Sequence, residues 1–357
     1  MRILQIAPPW FSVPPTGYGG TEQVVSALTE GLVALGHEVT LVAAGGSRTR
    51  AALWATSRQP PSTLLGDTAV ELAHVLQGHR RREEFDVIHD HTLTGASLGA
   101  MPGGPPVVHT LHGPWTSVTE ALYRQVADRV HLVAISRDQA GRAPPGIVLA
   151  GVVHNGIDVE SYPFVLTKGD HLAFVGRADP EKGPEVAIEV ARQLGRKLVM
   201  AVKVNEPGEH DYFSDVLEPR LGDADVEIVR VTSHAEKVAL LGSAAAVLFP
   251  IRWDEPFGLV PLEANACGTP VVAFARGAVP EVVEDGRTGR LVAPDDFDAF
   301  CRAVERVDEL HPRDCRANAR TRFDSPLMVE RYVQIYEQAI GTRARQTDPV
   351  RLQVTPT

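Results

Sequence analysis

The sequence contains no long apolar run. The hydrophobic stretch that begins at Met1 is short and ends at Pro8 and Pro9, and no later run approaches the roughly 20 residues of a membrane-spanning helix. This pattern excludes a typical signal peptide and argues against stable insertion into a membrane. We therefore expect a soluble protein of the cytoplasm.

Cysteine is scarce. Cys267, Cys301 and Cys315 form an odd set with neither CxxC pairs nor the Cys and His spacing of zinc sites. No zinc framework is expected, and the thiols suit a reducing compartment.

Positive charge is also in short supply. The 357 residues carry 35 Lys and Arg against 45 Asp and Glu, which gives a formal net charge of -10. Nucleic acids and anionic membranes are bound by sustained basic faces, so neither is an expected partner. Any cation in a functional site must act locally.

The length and the 44% hydrophobic content predict about two globular domains. Short β-rich runs alternate with helical stretches in the first half, as in Ile3–Ala7, Glu22–Leu35 and Val39–Ala43. The alternation pauses at the turn-rich Val152–Asp158 and restarts at Leu172–Val175. Such alternation predicts parallel sheets covered by helices on both faces. The predicted fold class is α/β, with two Rossmann-like doubly wound domains facing across a cleft.

The predicted domain bounds are 1–156 and 157–324. Ser325 and Pro326 suit the N-cap and first turn of a last amphipathic helix, predicted over about 325–341, and 342–357 is predicted to be a flexible tail. Open parallel sheets bind ligands beyond the carboxyl ends of their strands, so the functional site is expected in the cleft. The sequence does not indicate an oligomeric state.

Two carboxylates flank a predicted helix start in the segment EPFGLVPLE, Glu255 to Glu263. Proline has no N–H and is tolerated only in a helix's first turn, so Pro261 fixes the start near Gly258–Val260. The backbone N–H groups there are unpaired donors and can hold an anion such as a diphosphate. The carboxylates can accept hydrogen bonds from hydroxyl pairs. The segment therefore predicts a sugar-nucleotide site, with one carboxylate on the transferred sugar and the other on the ribose.

A pair of cations follows the predicted strand Leu172–Val175, in the loop GRADPEKG. Arg177 lies at the strand end and Lys182 precedes the next helix, so both can converge on phosphates. Arginine binds phosphate bidentately, and lysine acts as a point charge. The loop lacks the GKS or GKT of a Walker loop.

A glycine-rich loop, GYGGTE, opens the first predicted helix. Gly19 and Gly20 either allow the backbone to approach a ligand closely or form only a flexible turn. Glu22 stands where the dinucleotide fingerprint needs its third glycine, which disfavours an NAD-dependent oxidoreductase.

Histidines follow two predicted strands. His112 lies at the predicted cleft, where it can bond a sugar hydroxyl or steady developing positive charge through its backbone carbonyl, although a single histidine is more often structural. The triplet His89–His91 could supply metal ligands, but we expect the alternation of strand side chains to separate them, and no metal is predicted. The DxD of Asp223 and Asp225 lies between a turn and a strand and is interpreted as a loop.

Together these motifs resemble the family 4 retaining glycosyltransferases of GT-B architecture. The resemblance covers nearly the whole chain and extends to TLHG, HNGID and AVPEVVEDGRTGRLV. Its most specific part is the EX7E motif of Glu255 and Glu263, followed by ACGTPVVA at Ala266–Ala273, and the pair Arg177 and Lys182 comes next.

The resemblance implies individual roles. Glu255 would contact the transferred sugar, Glu263 the ribose, and His112 would lie beside the reacting sugar. The implied catalytic residues are His112, Arg177, Lys182 and Glu255. The implied donor-binding residues are Gly19, Gly20, Arg177, Lys182, Glu255, Phe257, Gly258, Leu259 and Glu263, with Thr21 and Lys203 as possible additions. The resemblance also implies that the final helix crosses back onto the N-terminal domain and that neither a metal nor another cofactor is needed.

One segment departs from the family pattern. Many relatives have a glycine-rich turn after the second strand of the nucleotide domain, where this chain reads AVKVN, Ala201–Asn205. Lys203 either adds a phosphate contact or is simply exposed.

The predicted function is metal-independent transfer of a sugar from a nucleoside-diphosphate sugar to an acceptor hydroxyl with retention of configuration, the leaving diphosphate assisting deprotonation of the acceptor. The alternatives are a non-catalytic sugar-nucleotide-binding protein and a glycoside hydrolase using Glu255 and Glu263. The acceptor is a small molecule or a saccharide and is expected to contact three loops, Trp10–Tyr18, Leu93–Gly104 and Trp115–Tyr123.

Overall fold

The computed structural model describes residues 1–17, 19–222, 224–231 and 233–347, with side chains up to residue 342. Tyr18, Asp223 and residues 348–357 lie outside the described residues, and so does Thr232. Asp223 of the DxD pair and most of the predicted tail therefore lie outside the described residues.

The first sheet is parallel and its strand order is β3-β2-β1-β4-β5-β6-β7. Its strands are β1 Arg2–Ile6, β2 Glu38–Ala43, β3 Ala52–Ala55, β4 Val87–Asp90, β5 Val107–Leu111, β6 Val130–Ala134 and β7 Gly151–Val152. The helices between them are α1 Gly20–Ala34, α2 Thr68–His79, α3 Gly95–Gly99, α4 Ser117–Arg124 and α5 Arg137–Gly141. The central strands are apolar because helices cover both faces of the sheet.

The second sheet is also parallel, in the order β10-β9-β8-β11-β12-β13. Its strands are β8 Leu172–Arg177, β9 Leu198–Lys203, β10 Val226–Ile228, β11 Ala246–Phe249, β12 Val271–Phe274 and β13 Gly289–Val292. The helices after β8 are α6 Pro184–Leu194, α7 Pro207–Tyr212, α8 Glu218–Leu221, α9 His234–Ser243, α10 Leu259–Ala266, α11 Val279–Val282, α12 Phe297–Glu305, α13 Pro312–Phe323 and α14 Ser325–Thr347. The predicted fold class, two doubly wound α/β domains, is confirmed.

Each sheet changes winding direction beside one central strand. In the first sheet β1 lies between β2 and β4, and in the second β8 lies between β9 and β11. Loops at the carboxyl ends of such neighbouring strands diverge and leave a crevice, where doubly wound folds bind their ligands. The predicted boundary at residues 156–157 falls in the connection 153–171 between the two sheets.

Helix α14 returns to the first sheet. Its buried face joins the core formed with α1 and β1, through Met328, Val329, Tyr332, Ile335, Tyr336 and Ala339. The phenol of Tyr336 lies 2.7 Å from His89 Nδ1, and that of Tyr332 lies 2.8 Å from Thr110 Oγ1. The helix therefore ties the end of the chain to the N-terminal domain.

The last helix is longer than the sequence predicted. It runs to Thr347, whereas we expected it to end near Gly341 and to give way to a flexible tail. A glycine inside a helix costs only about 1 kcal/mol, and Arg, Ala and Gln after it favour the helix. Among the described residues, no helix has the length and apolar character needed to cross a membrane.

Some edge elements were not predicted from the sequence. Strand β3 lies at an edge of the first sheet, and the four residues of Ala52–Ala55 are largely exposed. Its sequence, ALWA, is a short apolar run without alternation, and periodicity alone does not distinguish such a run from a helical segment.

Candidate functional site

One cleft of about 1050 Å³ is lined by both domains. Its N-terminal wall comes from the first sheet and the chain that follows it: Pro8, Trp10, Phe11, Gly19, Gly20, Thr21, Glu22, Leu65, Glu71, His91, His112, Ile135 and Asn155. Its C-terminal wall comes from the second sheet: 175–182, Lys203, Glu206, Gly208, Glu209, Phe249, Trp253 and 255–260. All the predicted site residues except Glu263 line this cleft.

The end of β8 carries Arg177 into the cleft, and the loop that follows it carries Lys182. Lys182 is followed by Gly183, which has a φ of 65° and caps α6. A Cβ at Gly183 would lie 2.3 Å from the Pro250 carbonyl oxygen. Only glycine fits this close approach and left-handed backbone, so Gly183 lets the loop turn directly from the lysine into the helix.

Glu255 and Lys182 form a pair across the C-terminal wall. Lys182 Nζ donates to Glu255 Oε2 at 2.7 Å, and the indole N–H of Trp253 donates to the same oxygen at 3.0 Å. The ammonium also lies 4.7 Å from the centre of the Trp253 ring, which adds a cation–π contact. The other Glu255 oxygen, Oε1, has no partner in these bonds and is the one available to a ligand.

The EPFGLVPLE segment begins its helix where the sequence predicted. Gly258 is the N-cap of α10 and Leu259 is its first residue. The first N–H groups of a helix have no intrahelical acceptor and carry the positive end of its dipole. Because residues 255–260 line the cleft, these donors lie in the same wall as Arg177 and Lys182.

Glu263 lies behind the wall rather than in it. It is 3% exposed, and its Oε1 accepts bonds from the Tyr162 hydroxyl at 3.0 Å and Lys237 Nζ at 2.6 Å. Neither partner was predicted from the sequence, since neither belongs to a motif. They leave Oε2 as the carboxylate oxygen with which Glu263 could meet a ligand.

The segment AVKVN supplies a further cation to the cleft. The alternative that Lys203 is simply exposed is wrong. Its side chain is only 10% exposed and lines the cleft. Its Nζ lies 2.7 Å from Glu206 and 3.5 Å from Glu209.

Arg177 is paired within the same wall. Its guanidinium lies 2.8 Å from Asp179 and 3.8 Å from Glu209. Burial raises the pKa of Glu209. The described cations of this wall thus already have carboxylate partners, which an anionic ligand must replace or join.

The two walls touch at the glycine-rich loop. A Cβ at Gly20 would lie 2.9 Å from Leu259 Cδ1. Gly20 therefore allows the start of α1 to approach the start of α10, which brings the first domain to the predicted anion site.

His112 is half-buried and joins a cluster with the buried His89 and His91. Its Nε2 lies 2.9 Å from His91 Nδ1, and the ring of His91 lies 3.9 Å from that of His89. Burial lowers the pKa of His112 to about 4 and that of His91 well below its usual range. The expected separation of His89 and His91 was wrong, because residues two apart share one face of a strand. No group of three metal-binding side chains suited to a metal ion occurs in the described part of the chain.

Only one of the three predicted acceptor loops reaches the cleft. Trp10 and Phe11 line it, while no described residue of Leu93–Gly104 or Trp115–Tyr123 does. Those two loops fold onto their own domain; for example, the indole N–H of Trp115 donates to the Gln139 carbonyl at 2.7 Å. Four polar residues of the N-terminal wall were not predicted as site residues: Glu22, Glu71, His91 and Asn155. The motifs GYGGTE and HNGID contain Glu22 and Asn155 but assigned no role to either.

Two Rossmann-like domains facing across a cleft define the GT-B architecture of glycosyltransferases. Family models agree over most of the chain. The model "Glycosyltransferase Family 4" matches residues 18–161, and "Glycosyl transferases group 1" matches residues 164–322. The chain belongs to the family 4 glycosyltransferases.

Curated relatives and solved structures are consistent with this. D-inositol 3-phosphate glycosyltransferases of Mycobacterium bovis and Mycobacterium tuberculosis are 29% identical over 268 residues, 62% of this chain and 54% of theirs. The alignment thus spans about half the length of those relatives. A glycosyltransferase involved in avilamycin A biosynthesis is 26% identical with a TM-score of 0.75, covering 96% of this chain and 98% of that one. Anabaena HepE, solved with UDP and glucose, is 20% identical with a TM-score of 0.73, covering 94% of this chain and 99% of that one, and shares the fold.

Proposed function

We propose that this protein transfers a hexose from a nucleoside-diphosphate sugar to an acceptor hydroxyl, with retention of anomeric configuration. The observation that carries the proposal is the convergence in one wall of Arg177, Lys182, Glu255 and the start of α10. Cations and unpaired amides fit a diphosphate, and a carboxylate beside them fits sugar hydroxyls.

The diphosphate is proposed to lie between Lys182, Arg177 and the α10 N-terminus. Negative charge grows on its leaving oxygen as the glycosyl bond breaks, so donors already placed there stabilise the transition state more than the ground state. The proposal assigns this neutralisation to the chain's own cations and helix end, and it invokes no metal ion. Lys203 is a candidate for a further phosphate contact.

The proposed step breaks the bond between the anomeric carbon and the diphosphate oxygen and forms one between that carbon and the acceptor oxygen. The acceptor's proton passes to the leaving diphosphate oxygen, so no separate base is required. Attack from the face that the diphosphate leaves gives retention. Glu255 orients the sugar through its hydroxyls, and neutral His112 lies on the opposite wall, where it can accept or donate a bond to the sugar.

The ribose is proposed to bind Glu263 from the side of its unoccupied oxygen. Lys237 and Tyr162 hold the carboxylate in place at 2.6 and 3.0 Å. Such positioning partners hold a buried carboxylate in one rotamer. We also keep the cytoplasm as the proposed location, since the three cysteines are free and buried thiols.

The glycoside hydrolase alternative has less support. It needs two carboxylates flanking the scissile bond, yet Glu263 is outside the cleft lining and Glu255 is held by Lys182. The general acid of a hydrolase must be free to donate a proton to the leaving group, whereas each glutamate here is held by a lysine, Glu255 by Lys182 and Glu263 by Lys237. A non-catalytic sugar-nucleotide-binding protein would keep every donor contact. Only a measurement of turnover distinguishes it from a glycosyltransferase.

The test is a donor screen with the purified chain. UDP-, GDP-, ADP- and dTDP-sugars are incubated with and without a mixture of sugar and polyol acceptors, and release of free nucleoside diphosphate is measured. UDP-glucose is the first donor to try, because HepE of the same fold was solved with UDP and glucose. We expect one donor class to be turned over, also in excess EDTA, and NMR of the product to show the donor's anomeric configuration. Tight donor binding without turnover would support a sensor, and an inverted product would refute retention.

A further inference from the structure

The two walls of the cleft differ sharply in charge. The cations that line it, Arg177, Lys182 and Lys203, all belong to the C-terminal wall. Among the described residues of the N-terminal wall there is no Lys or Arg, and its charged side chains are Glu22 and Glu71. An anion is therefore accommodated on one side of the cleft only.

Both carboxylates of the N-terminal wall are buried. Glu22 is the third residue of α1 and is 4% exposed, and Glu71 of α2 is 7% exposed. One Glu71 oxygen accepts the Thr94 N–H at 2.9 Å, which fixes its side chain. Burial raises the pKa of Glu22 to about 7, so near neutral pH this carboxyl group can either donate or accept a hydrogen bond.

The imidazoles of this wall do not offset the carboxylates. Burial holds the pKa of His112 at about 4 and that of His91 lower than usual, so both rings are uncharged at neutral pH. They bond each other through His91 Nδ1 and His112 Nε2, at 2.9 Å. Whichever ring donates, the wall gains no positive charge.

Two wall residues also carry buried polar atoms without a protein partner. His91 Nε2 and Asn155 Oδ1 have no hydrogen-bond partner in the described structure, and both residues are only 4% exposed. Leaving buried polar atoms unpaired costs free energy, which a ligand that supplies the missing bonds recovers. A hydroxyl can satisfy either, because it both donates and accepts.

An aromatic surface completes this wall. Trp10 and Phe11 lie in the loop after β1 and line the same side of the cleft. The apolar faces of sugar and cyclitol rings pack on such side chains, while their hydroxyls reach the polar groups around them.

We propose that the acceptor is a neutral polyhydroxylated molecule, a free sugar or polyol, held by Glu22, His91, Asn155 and the Trp10–Phe11 surface, and that this wall discriminates against phosphorylated acceptors. This inference rests on the proposed sugar transfer. A phosphate placed here meets two carboxylates and no cation, so Coulomb repulsion and desolvation both oppose its binding. The acceptor preference thus differs from that named for the mycobacterial relatives, whose name specifies inositol 3-phosphate.

The experiment uses matched acceptor pairs with the donor that the screen identifies. Each pair contains a neutral ring and its monophosphate, such as inositol with inositol 3-phosphate and glucose with glucose 6-phosphate. The glycosylated product is measured by mass spectrometry and nucleoside diphosphate release in parallel. We expect transfer to the neutral member to exceed transfer to the phosphate by about tenfold or more.

Two variants separate a charge effect from a loss of structure. Glu22→Gln keeps the shape of the side chain and removes its charge, so the ratio of kcat/KM for the neutral and phosphorylated members should fall severalfold. Glu83→Gln removes an exposed carboxylate whose side chain is 71% accessible and lies outside the cleft lining, so it should leave that ratio unchanged.

The outcomes distinguish the two proposals. Preferential transfer to the phosphorylated members would overturn this inference and leave the proposed sugar transfer standing. Donor turnover without a glycosylated product from any pair would have the same consequence. No turnover of any donor refutes the proposed function and this inference with it. Preferential transfer to the neutral members, with a lower ratio in Glu22→Gln, supports both.

Discussion

The buried carboxyl group of Glu22 predicts a pH-dependent penalty on stability. Burial raises its pKa from an ordinary 4.5 to about 7, so the folded state binds its proton more tightly than the unfolded state. Below pH 4.5 both states are protonated and the penalty is absent. The penalty grows as the pH rises from 4.5 to 7 and is complete above about 7. Over that interval the unfolded state releases the proton while the folded state still holds it, so the free energy of unfolding falls.

The size of the penalty follows from the two pKa values. At about 1.36 kcal/mol for each pH unit between them, ionising Glu22 in the folded state lowers the free energy of unfolding by about 3 kcal/mol at pH 8.5 and by about 1 kcal/mol at pH 5. Glu22→Gln removes the ionisation and keeps the shape. The stability gained by this variant should therefore be about 2 kcal/mol larger at pH 8.5 than at pH 5.

Urea unfolding at the two pH values measures this difference. Tryptophan fluorescence reports on the N-terminal domain through Trp10, Trp54 and Trp115, and on the C-terminal domain through Trp253. The exposed Glu83→Gln is the matched control and should give the same stability change at both pH values. If Glu22→Gln shifts stability equally at pH 5 and pH 8.5, the carboxyl group is not the buried, ionisable group described here.

Two further predictions concern the donor side and the contact between the walls. Tyr162→Phe removes a hydrogen bond to the Glu263 carboxylate, so the Kd for the nucleoside diphosphate, measured by calorimetric titration, should rise about tenfold. The control Tyr212→Phe loses a bond to Glu185 away from the cleft and should bind the diphosphate as the wild type does. Equal Kd values in both variants would show that Glu263 does not bind the ribose. Gly20→Val adds a side chain against Leu259 and should push the two walls apart. Because small displacements of catalytic groups cost large factors in rate, kcat/KM should fall by about tenfold or more while the circular dichroism spectrum stays unchanged. Full activity would show that the walls need not approach so closely.

The architecture was predictable because its signals are local. Apolar runs such as Ala246–Phe249 are buried on both faces, and Pro261 has one tolerated place near a helix start, so the strand and the start of α10 were both predicted from the sequence. The end of β8 and the loop after it likewise had to carry Arg177 and Lys182 to the edge of the sheet.

The details that were missed depend on partners distant in sequence. Nothing near Glu263 indicates that Tyr162 and Lys237, 101 and 26 residues away, cover one of its oxygens. The burial of Glu22 was not predictable either, because a carboxylate in the first turn of a helix is usually exposed, whereas Glu22 is 4% exposed. Such contacts carry no periodicity or spacing in the sequence.

The central claim, that Lys182 and its neighbours hold the diphosphate, is tested most directly by calorimetric titration of the nucleoside diphosphate of the preferred donor. Lys182→Met should raise the Kd about tenfold to a hundredfold, the loss of one charge-assisted hydrogen bond. Lys197→Met, which removes an ion-paired lysine outside the cleft lining, should bind as the wild type does. Equal affinity in all three proteins would contradict the account.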